Sequence, residues 1–283
     1  MSVISKARSR RASASSLLDN PRYELLPLGG LDSQLPYLPA GATVTVTSSP
    51  SRGTMATVEL AERLAVLGFR PVPHLAARQV RDEAELVEVL QRLDNSEIRD
   101  AFVVGGDGIG GGFKNGLELL RAMDAIGHRL EHIGVPSYPE GHHLIDDETL
   151  WADLYAKQDY ATYTVTQMCF DADAIAQFVY RMRGKGISLP VVAGIPGIAD
   201  PARLLRVSMR IGIGDSIKFL RGNFAAVRKL LRLGGYRPNS LVRKLSARTR
   251  SGECELSGVH IYTFNHVNAT VRWVQQLRSR GIA

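Results

Sequence analysis

The sequence predicts a single (β/α)8 barrel, an α/β fold of the TIM type. Three observations predict it. Short β-like runs alternate with longer amphipathic stretches along the chain. The runs number eight. The length, 283 residues, suits one such barrel, which takes roughly 250. Alternation of strand and helix argues a parallel sheet. Eight repeats argue that the sheet closes on itself rather than staying open.

The β-like runs are residues 23–26, 43–47, 71–75, 101–104, 132–135, 163–166, 189–193 and 259–262. Between them lie stretches such as 56–67 and 83–93, with apolar residues at i, i+3 and i+4, the spacing of one helix face. The first link, "GGLDSQLPYLPAGA", holds two prolines and three glycines. That leaves little room for a full crossover helix, so a shortened one is expected. The last link, 212–258, is long enough for more than one helix.

Composition narrows the class. Hydrophobic residues make up 45% of the chain, enough for a sizeable core. No apolar run approaches the ~20 residues of a membrane span, and no signal-peptide core is visible. A soluble, cytoplasmic protein without a membrane partner is expected. Cys169 and Cys254 have no CxxC spacing, so neither a disulfide framework nor a zinc site is expected. Cys169, between Met168 and Phe170, reads as core.

The net charge is +7. Residues 1–20 carry Lys6, Arg8, Arg10 and Arg11 against Asp19, are rich in serine and lack an apolar period. They read as a disordered tail ahead of a barrel domain at 21–283. An organellar transit peptide is the alternative, being Arg- and Ser-rich. A second basic region, 218–250, reads as a solvated helix face. Nucleic-acid binding would want aromatic residues interleaved with the charge, and few are present, so no nucleic-acid partner is expected. The sequence leaves a homo-oligomer open.

In a barrel of this kind chemistry sits at the C-terminal ends of the strands. Polar or ionisable residues recur there. They are Glu24, Thr47-Ser48-Ser49, His74, Gly105-Gly106-Asp107, Tyr138 to His142, Gln167, and Tyr262 with Asn265. Glu24 sits in the apolar run Tyr23-Glu24-Leu25-Leu26. A carboxyl in apolar surroundings tends to hold its proton to higher pH, which suits a general acid. Equally, Glu24 could point outward and be solvated, and the residue pattern leaves both readings open.

"GGDGIGGG" (105–112) matches GxGxxG through Gly106, Gly108 and Gly111. It follows a strand and precedes a helix, the setting of a dinucleotide fingerprint. However, it follows the fourth strand, and Glu131, at the distance of a ribose acid, precedes its strand. The preferred reading is a Gly-rich loop carrying a carboxylate, Asp107, at a strand end, where backbone can approach a ligand closely. "YPEGHH" places Glu140, His142 and His143 in a Pro/Gly loop without HExxH spacing, so no metal is expected. No GxSxG elbow or P-loop occurs.

These strand-end segments resemble the methylenetetrahydrofolate reductase family. "RYELLP" is similar to the family's first strand, "VTVTSSP" to its second and "VPHLAAR" to its third. "FVVGGD" resembles its RGD turn, "YPEGHH" its YPExHP loop, "VTQMCFD" its TQxFFD strand and "GVHIYTFN" its HFYTLN ending. The segments come in family order from Tyr23 to Asn265.

The resemblance implies reduction of 5,10-methylenetetrahydrofolate to 5-methyltetrahydrofolate, with FAD as the bound flavin and NADH or NADPH as hydride donor. It implies that Glu24 is the general acid that protonates a folate nitrogen and opens the five-membered ring to an iminium. Asp107 falls on the residue facing flavin and pterin, and Gln167 on a pterin and nicotinamide contact. Tyr262 and Asn265 fall on substrate positions. Thr47, His74, Gly106, Tyr138, His142, Asp153 and Lys157 fall on flavin or nicotinamide positions. The chain departs from the family pattern in having Gly105 for an arginine, a shorter 153–167 segment, His266 after the asparagine, and Arg206 for a glutamine. Direct hydride transfer without flavin, the oxidative direction in demethylation, and a barrel that binds folate or flavin without catalysis are the alternatives.

Overall fold

The computed structural model describes residues 16–27, 29–106, 110–142, 144–198 and 238–281. Eight parallel strands close in sequence order: β1 (Arg22–Leu25), β2 (Thr43–Val46), β3 (Arg70–Ala76), β4 (Asp100–Val104), β5 (His132–Ser137), β6 (Tyr163–Thr166), β7 (Val191–Pro196) and β8 (Gly258–Tyr262). β8 pairs with β1 to complete the barrel, Glu24 lying opposite Tyr262 and Arg22 opposite His260.

Side chains on a strand alternate between faces, and the sequence supplies two different sets. Leu25, Val44, Val46, Leu75, Val103 and Val135 face the surrounding helices and join the large outer core. Val72, Phe102, Tyr163, Val165 and Val192 form a separate cluster, the apolar packing of the barrel interior. Below it, Arg22 Nη1 donates to Asp100 Oδ2 (2.8 Å) and to Tyr163 Oη (2.9 Å), while the Tyr163 hydroxyl donates to Asp100 Oδ1 (2.8 Å). Burial outweighs Arg22 and holds the Asp100 carboxyl above its ordinary range. Gly134 makes room for this plug: a Cβ there would lie 2.4 Å from the Tyr163 ring.

The described helices are α1 (Gly53–Val66), α2 (Glu83–Asn95), α3 (Gly116–Ile126), α4 (Asp147–Lys157), α5 (Ala172–Gly184), α6 (Asn239–Ser251) and α7 (Val267–Ser279). Four begin on side-chain caps: Asp82, Asn115, Asp146 and Asp171 each accept a backbone N–H of the first turn, which satisfies donors that a helix start leaves unpaired. The first link holds no α-helix. Two 3₁₀ turns, Leu31–Ser33 and Leu35–Tyr37, bury Leu31 and Leu35 instead, as its prolines and glycines predict.

One boundary is corrected. Residues 16–20, expected in the tail, form a turn in which Asp19 accepts the Ser16 N–H at 2.7 Å. Leu17 and Leu18 are buried in the outer core. The pair Leu17-Leu18 is too short for a periodic signal, and it was the only apolar clue. Residues 1–15 lie outside the described residues. So does most of the second basic region; in its described part, α6 buries Leu241, Val242 and Leu245 and exposes Arg243, Lys244 and Arg250, a solvated helix face as expected. Cys169 and Cys254 are both buried and free. Among the described residues no helix is long and apolar enough to cross a membrane.

Candidate active site

Glu24 points into the barrel. Its carboxyl is 12% exposed, and Oε2 lies 3.1 Å from His260 Nε2. This decides between the two readings of Glu24: it is an interior carboxyl, not a solvated edge. The backbone on either side is fixed by the segment after β8. The Thr263 hydroxyl donates to the Glu24 carbonyl. Asn265 accepts the Leu26 N–H through Oδ1 and donates to the Leu26 carbonyl through Nδ2, both at 2.9 Å. Phe264 and Asn265 adopt positive φ, 50° and 55°, in the turn that brings this amide back over β1.

Two more rings face the carboxyl. Tyr262 packs edge-on against His260 with centroids 4.7 Å apart, and its hydroxyl donates to the Thr166 carbonyl at 3.3 Å. Burial, with Glu24 and Tyr138 adding to it, holds the Tyr262 phenol well above its ordinary pKa. His74, from β3, lies 4.8 Å from the Phe102 ring. Burial pushes it down to about 4, against the opposing pull of Glu24, so it is neutral near pH 7. Thr45 Oγ1, His74 Nε2 and His260 Nδ1 are buried without a hydrogen-bond partner. They stand on β2, β3 and β8, so the interior near Glu24 is polar but incompletely paired.

The Gly-rich loop has a structural explanation in its described part. A Cβ on Gly106 would meet Ala76 Cβ at 2.8 Å; on Gly111, the Arg78 backbone at 2.4 Å; on Gly112, the Arg81 carbonyl at 2.7 Å. Gly112 N–H donates to the Val80 carbonyl at 2.7 Å, and Arg78 N–H to the Gly105 carbonyl at 3.1 Å. These glycines let the β4–α3 connection lie against the β3–α2 connection, a packing demand rather than a phosphate cradle. The closed barrel has no open-sheet crevice for a dinucleotide fold. Asp107 and Gly108 lie outside the described residues, as do His143 and Arg206.

The remaining candidates separate by what they touch. Gln167 is exposed at the end of β6 and turns its Oε1 to the Met168 N–H. Tyr138 and His142 meet edge to face, centroids 5.1 Å apart. Tyr138 also lines a cavity of about 260 Å³ with Glu140, Trp151, Phe178 and Arg181, against α4 and α5 rather than over the barrel axis. The Thr47 hydroxyl donates to the Leu25 carbonyl at 3.2 Å. Lys157 is buried and ion-paired with Asp153, its amine beside Gly116 at the start of α3. Among the described residues no group of three or more His, Cys, Asp or Glu could hold a metal ion.

These positions test the flavin that the resemblance implies. A flavin dinucleotide needs accessible donors and cations for its diphosphate. Here Lys157 is buried and neutralised by Asp153, Gly105 carries no charge, the Thr47 hydroxyl is engaged, and His74 lies inside the barrel. These four positions therefore offer a flavin diphosphate no accessible side-chain donor.

The sequence reading did not single out His260, although alternation on β8 puts it on the same face as Tyr262, two residues on. It also missed Thr263, whose bond to β1 has no local sequence signal.

Fold and site together define a parallel barrel with an interior carboxyl beneath its C-terminal mouth. The chain belongs to the methylenetetrahydrofolate reductase family, whose sequence model matches residues 33–278. The match begins after β1, so Glu24 stands on its motif and its geometry. Over 173 residues the chain is 27% identical to Methylenetetrahydrofolate reductase 2 of Saccharomyces cerevisiae, covering 59% of this chain and 28% of that protein. Over 199 residues it is 26% identical to Methylenetetrahydrofolate reductase (NADH) 1 of Arabidopsis thaliana, covering 63% and 33%. The matched stretch thus spans about a third or less of either relative's length.

Proposed function

We propose that this chain is an oxidoreductase that transfers a hydride between a nicotinamide and a folate-bound one-carbon unit, interconverting 5,10-methylenetetrahydrofolate and 5-methyltetrahydrofolate. The observation that carries the reading is the interior carboxyl of Glu24, held by His260 at the C-terminal end of the β1–β8 seam, in a chain of this family.

In the reductive direction Glu24 gives its proton to the folate nitrogen that leaves the methylene carbon. The C–N bond breaks, and the other nitrogen forms an iminium with that carbon. Hydride from the nicotinamide adds to the iminium carbon and gives the methyl group. The nicotinamide leaves oxidised, and Glu24 regains a proton from solvent. The place of the carboxyl, inside the barrel on β1 near its C-terminal end, supports this role, because a general acid must lie within hydrogen-bond reach of the atom it protonates. Gln167, exposed at the end of β6, is assigned to the pterin and nicotinamide, as the resemblance implies.

Direct transfer from nicotinamide to folate is the preferred reading, because Lys157 is committed to Asp153 and Gly105 stands where the family pattern has an arginine. Transfer through FAD is the alternative that the test separates. Purified protein is assayed for methylenetetrahydrofolate-dependent oxidation of NADH and NADPH, with and without added FAD, and its absorption spectrum is recorded. Turnover without isoalloxazine bands supports direct transfer. Turnover only with FAD present overturns that part, and no folate-dependent turnover with either nucleotide overturns the whole.

A further inference from the structure

We propose that His260 is a positioning residue for Glu24: its Nε2–H holds Oε2 inside the barrel, so that Oε1 is the oxygen that carries the transferable proton. The inference rests on the reading of Glu24 as the acid and deepens it.

The geometry assigns the roles of the two oxygens. His260 is 2% exposed and its Nε2 is 3.1 Å from Oε2. Its Nδ1 is buried without a partner. A buried unpaired N–H is rarer in folded proteins than an under-satisfied acceptor, so the ring proton belongs on Nε2, where it has an acceptor. The bond then runs from imidazole to carboxyl. The opposite arrangement would place the Glu24 proton on Oε2, facing the imidazole, where it could not reach a substrate. With Nε2–H donating, Oε2 is fixed as acceptor and the proton sits on Oε1.

The ring that does this is itself held. Tyr262 packs against it edge-on and is tied by its hydroxyl to Thr166. Thr166 in turn accepts the Gly194 N–H through Oγ1 at 2.8 Å. Gly194 has no room for a side chain: a Cβ would lie 2.0 Å from the Thr166 carbonyl oxygen and 3.0 Å from the Tyr262 ring. β6, β7 and β8 therefore form a rigid backing for the imidazole. The other titratable groups facing the carboxyl among the described residues are Tyr262 from β8 and His74 from β3; β2 contributes the Thr45 hydroxyl.

The test uses the full chain with His260→Leu and His260→Gln, each made alone and together with Glu24→Gln. His260→Leu removes the donor and should lower kcat by about tenfold or more, as misplacement of a catalytic group does. The folate KM should move by less than about threefold, because an interaction felt mainly in the transition state is removed. His260→Gln keeps an N–H donor and should recover most of the loss. In the Glu24→Gln background His260→Leu should add almost nothing. Wild-type kcat in folded His260→Leu, or an equal loss in both backgrounds, overturns the inference. If Glu24→Gln turns over normally, the reading of Glu24 falls and the inference with it. If Glu24→Gln is impaired while His260→Leu is not, only the inference falls. Nitrogen-15 NMR of the wild-type imidazole needs no variant: an Nε2–H tautomer is expected, and an Nδ1–H tautomer overturns the assignment.

Discussion

His260 on the last strand reaches Glu24 on the first, Nε2 to Oε2 at 3.1 Å, across the seam where the barrel closes. Closure and chemistry are therefore one structural problem. Register sets Glu24 opposite Tyr262 and Arg22 opposite His260. A one-residue slip of β1 would turn Arg22 and Glu24 to the other face. The Thr263 and Asn265 bonds to Glu24 and Leu26 pin that register beside the carboxyl.

Glu24→Gln is close in shape and cannot supply a carboxylic proton. We expect the variant to fold and to bind methylenetetrahydrofolate, with turnover lowered by roughly 10²-fold or more, the scale of a lost general acid. Steady-state kcat beside an equilibrium folate Kd measures both halves. Near-normal turnover would remove Glu24 from the mechanism.

His74 gives a pH prediction. Its folded pKa is pushed down to about 4 by burial, while an unfolded histidine titrates near 6.5. Between these values the unfolded chain binds the extra proton, so stability rises with pH. The contribution is complete above about pH 6.5 and is lost as pH falls toward 4, on the order of 3 kcal/mol in all. Carboxylates titrate in the same range, so the measurement is the difference between wild type and His74→Gln in urea midpoint at pH 7 and pH 5. Wild type should lose more on acidification. Equal losses would mean that His74 does not titrate as a buried neutral ring.

Much of this architecture was legible in the sequence. Alternation placed all eight strands within a few residues, because each carries buried apolar residues. The strand ends pointed to Glu24, Gln167 and Tyr262 because barrel topology alone puts them at one end, and to His74, which lies inside the barrel because β3 runs on to Ala76. What alternation could not supply was partnership. The His260–Glu24 bond spans 236 positions, and the commitment of Asn265 to Leu26 spans 239, so neither has a local pattern. Leu17-Leu18 was passed over because two adjacent apolar residues have no period. The glycine run matched a fingerprint by composition, while its spacing answers to a neighbouring backbone.

That packing makes two glycines diverge. A Cβ at Gly105 meets nothing within 4 Å, whereas at Gly111 it would lie 2.4 Å from the Arg78 backbone. Gly105→Ala should leave the melting temperature nearly unchanged. Gly111→Ala must displace one connection and should cost about 1–3 kcal/mol, the range for overpacking. A phosphate cradle would instead show its damage in nicotinamide affinity at unchanged stability, and that result would restore the fingerprint reading.

Trimming the N-terminus should show a step. Removal of residues 1–20 strips Leu17 and Leu18, which are 4% and 0% exposed. Removal that stops at Ser15 retains both. Burying one such side chain is worth about 1.5–3 kcal/mol, so the longer deletion should lower the denaturant midpoint clearly below that of the shorter one. Equal midpoints would place those leucines outside the cooperative core.

Asn265 separates a structural from a ligand-binding role. Its amide occupies both the N–H and the carbonyl of Leu26, at 2.9 Å each, in a buried setting. Asn265→Ala would leave both groups without that partner, at about 1–3 kcal/mol for each buried group left unsatisfied, and would add the strain of alanine at a φ of 55°. Asn265→Gly loses the same bonds without the strain, so it should be the milder of the two. Asn265→Asp keeps an acceptor for the Leu26 N–H but sets a carboxylate oxygen against the Leu26 carbonyl. All three should lower the denaturant midpoint, and since Leu26 lies two residues from Glu24, kcat should fall in the variants that remain folded. If Asn265 held substrate directly, the main effect would be a raised folate KM with stability intact. An unchanged midpoint together with a large rise in KM would move Asn265 from the seam to the substrate.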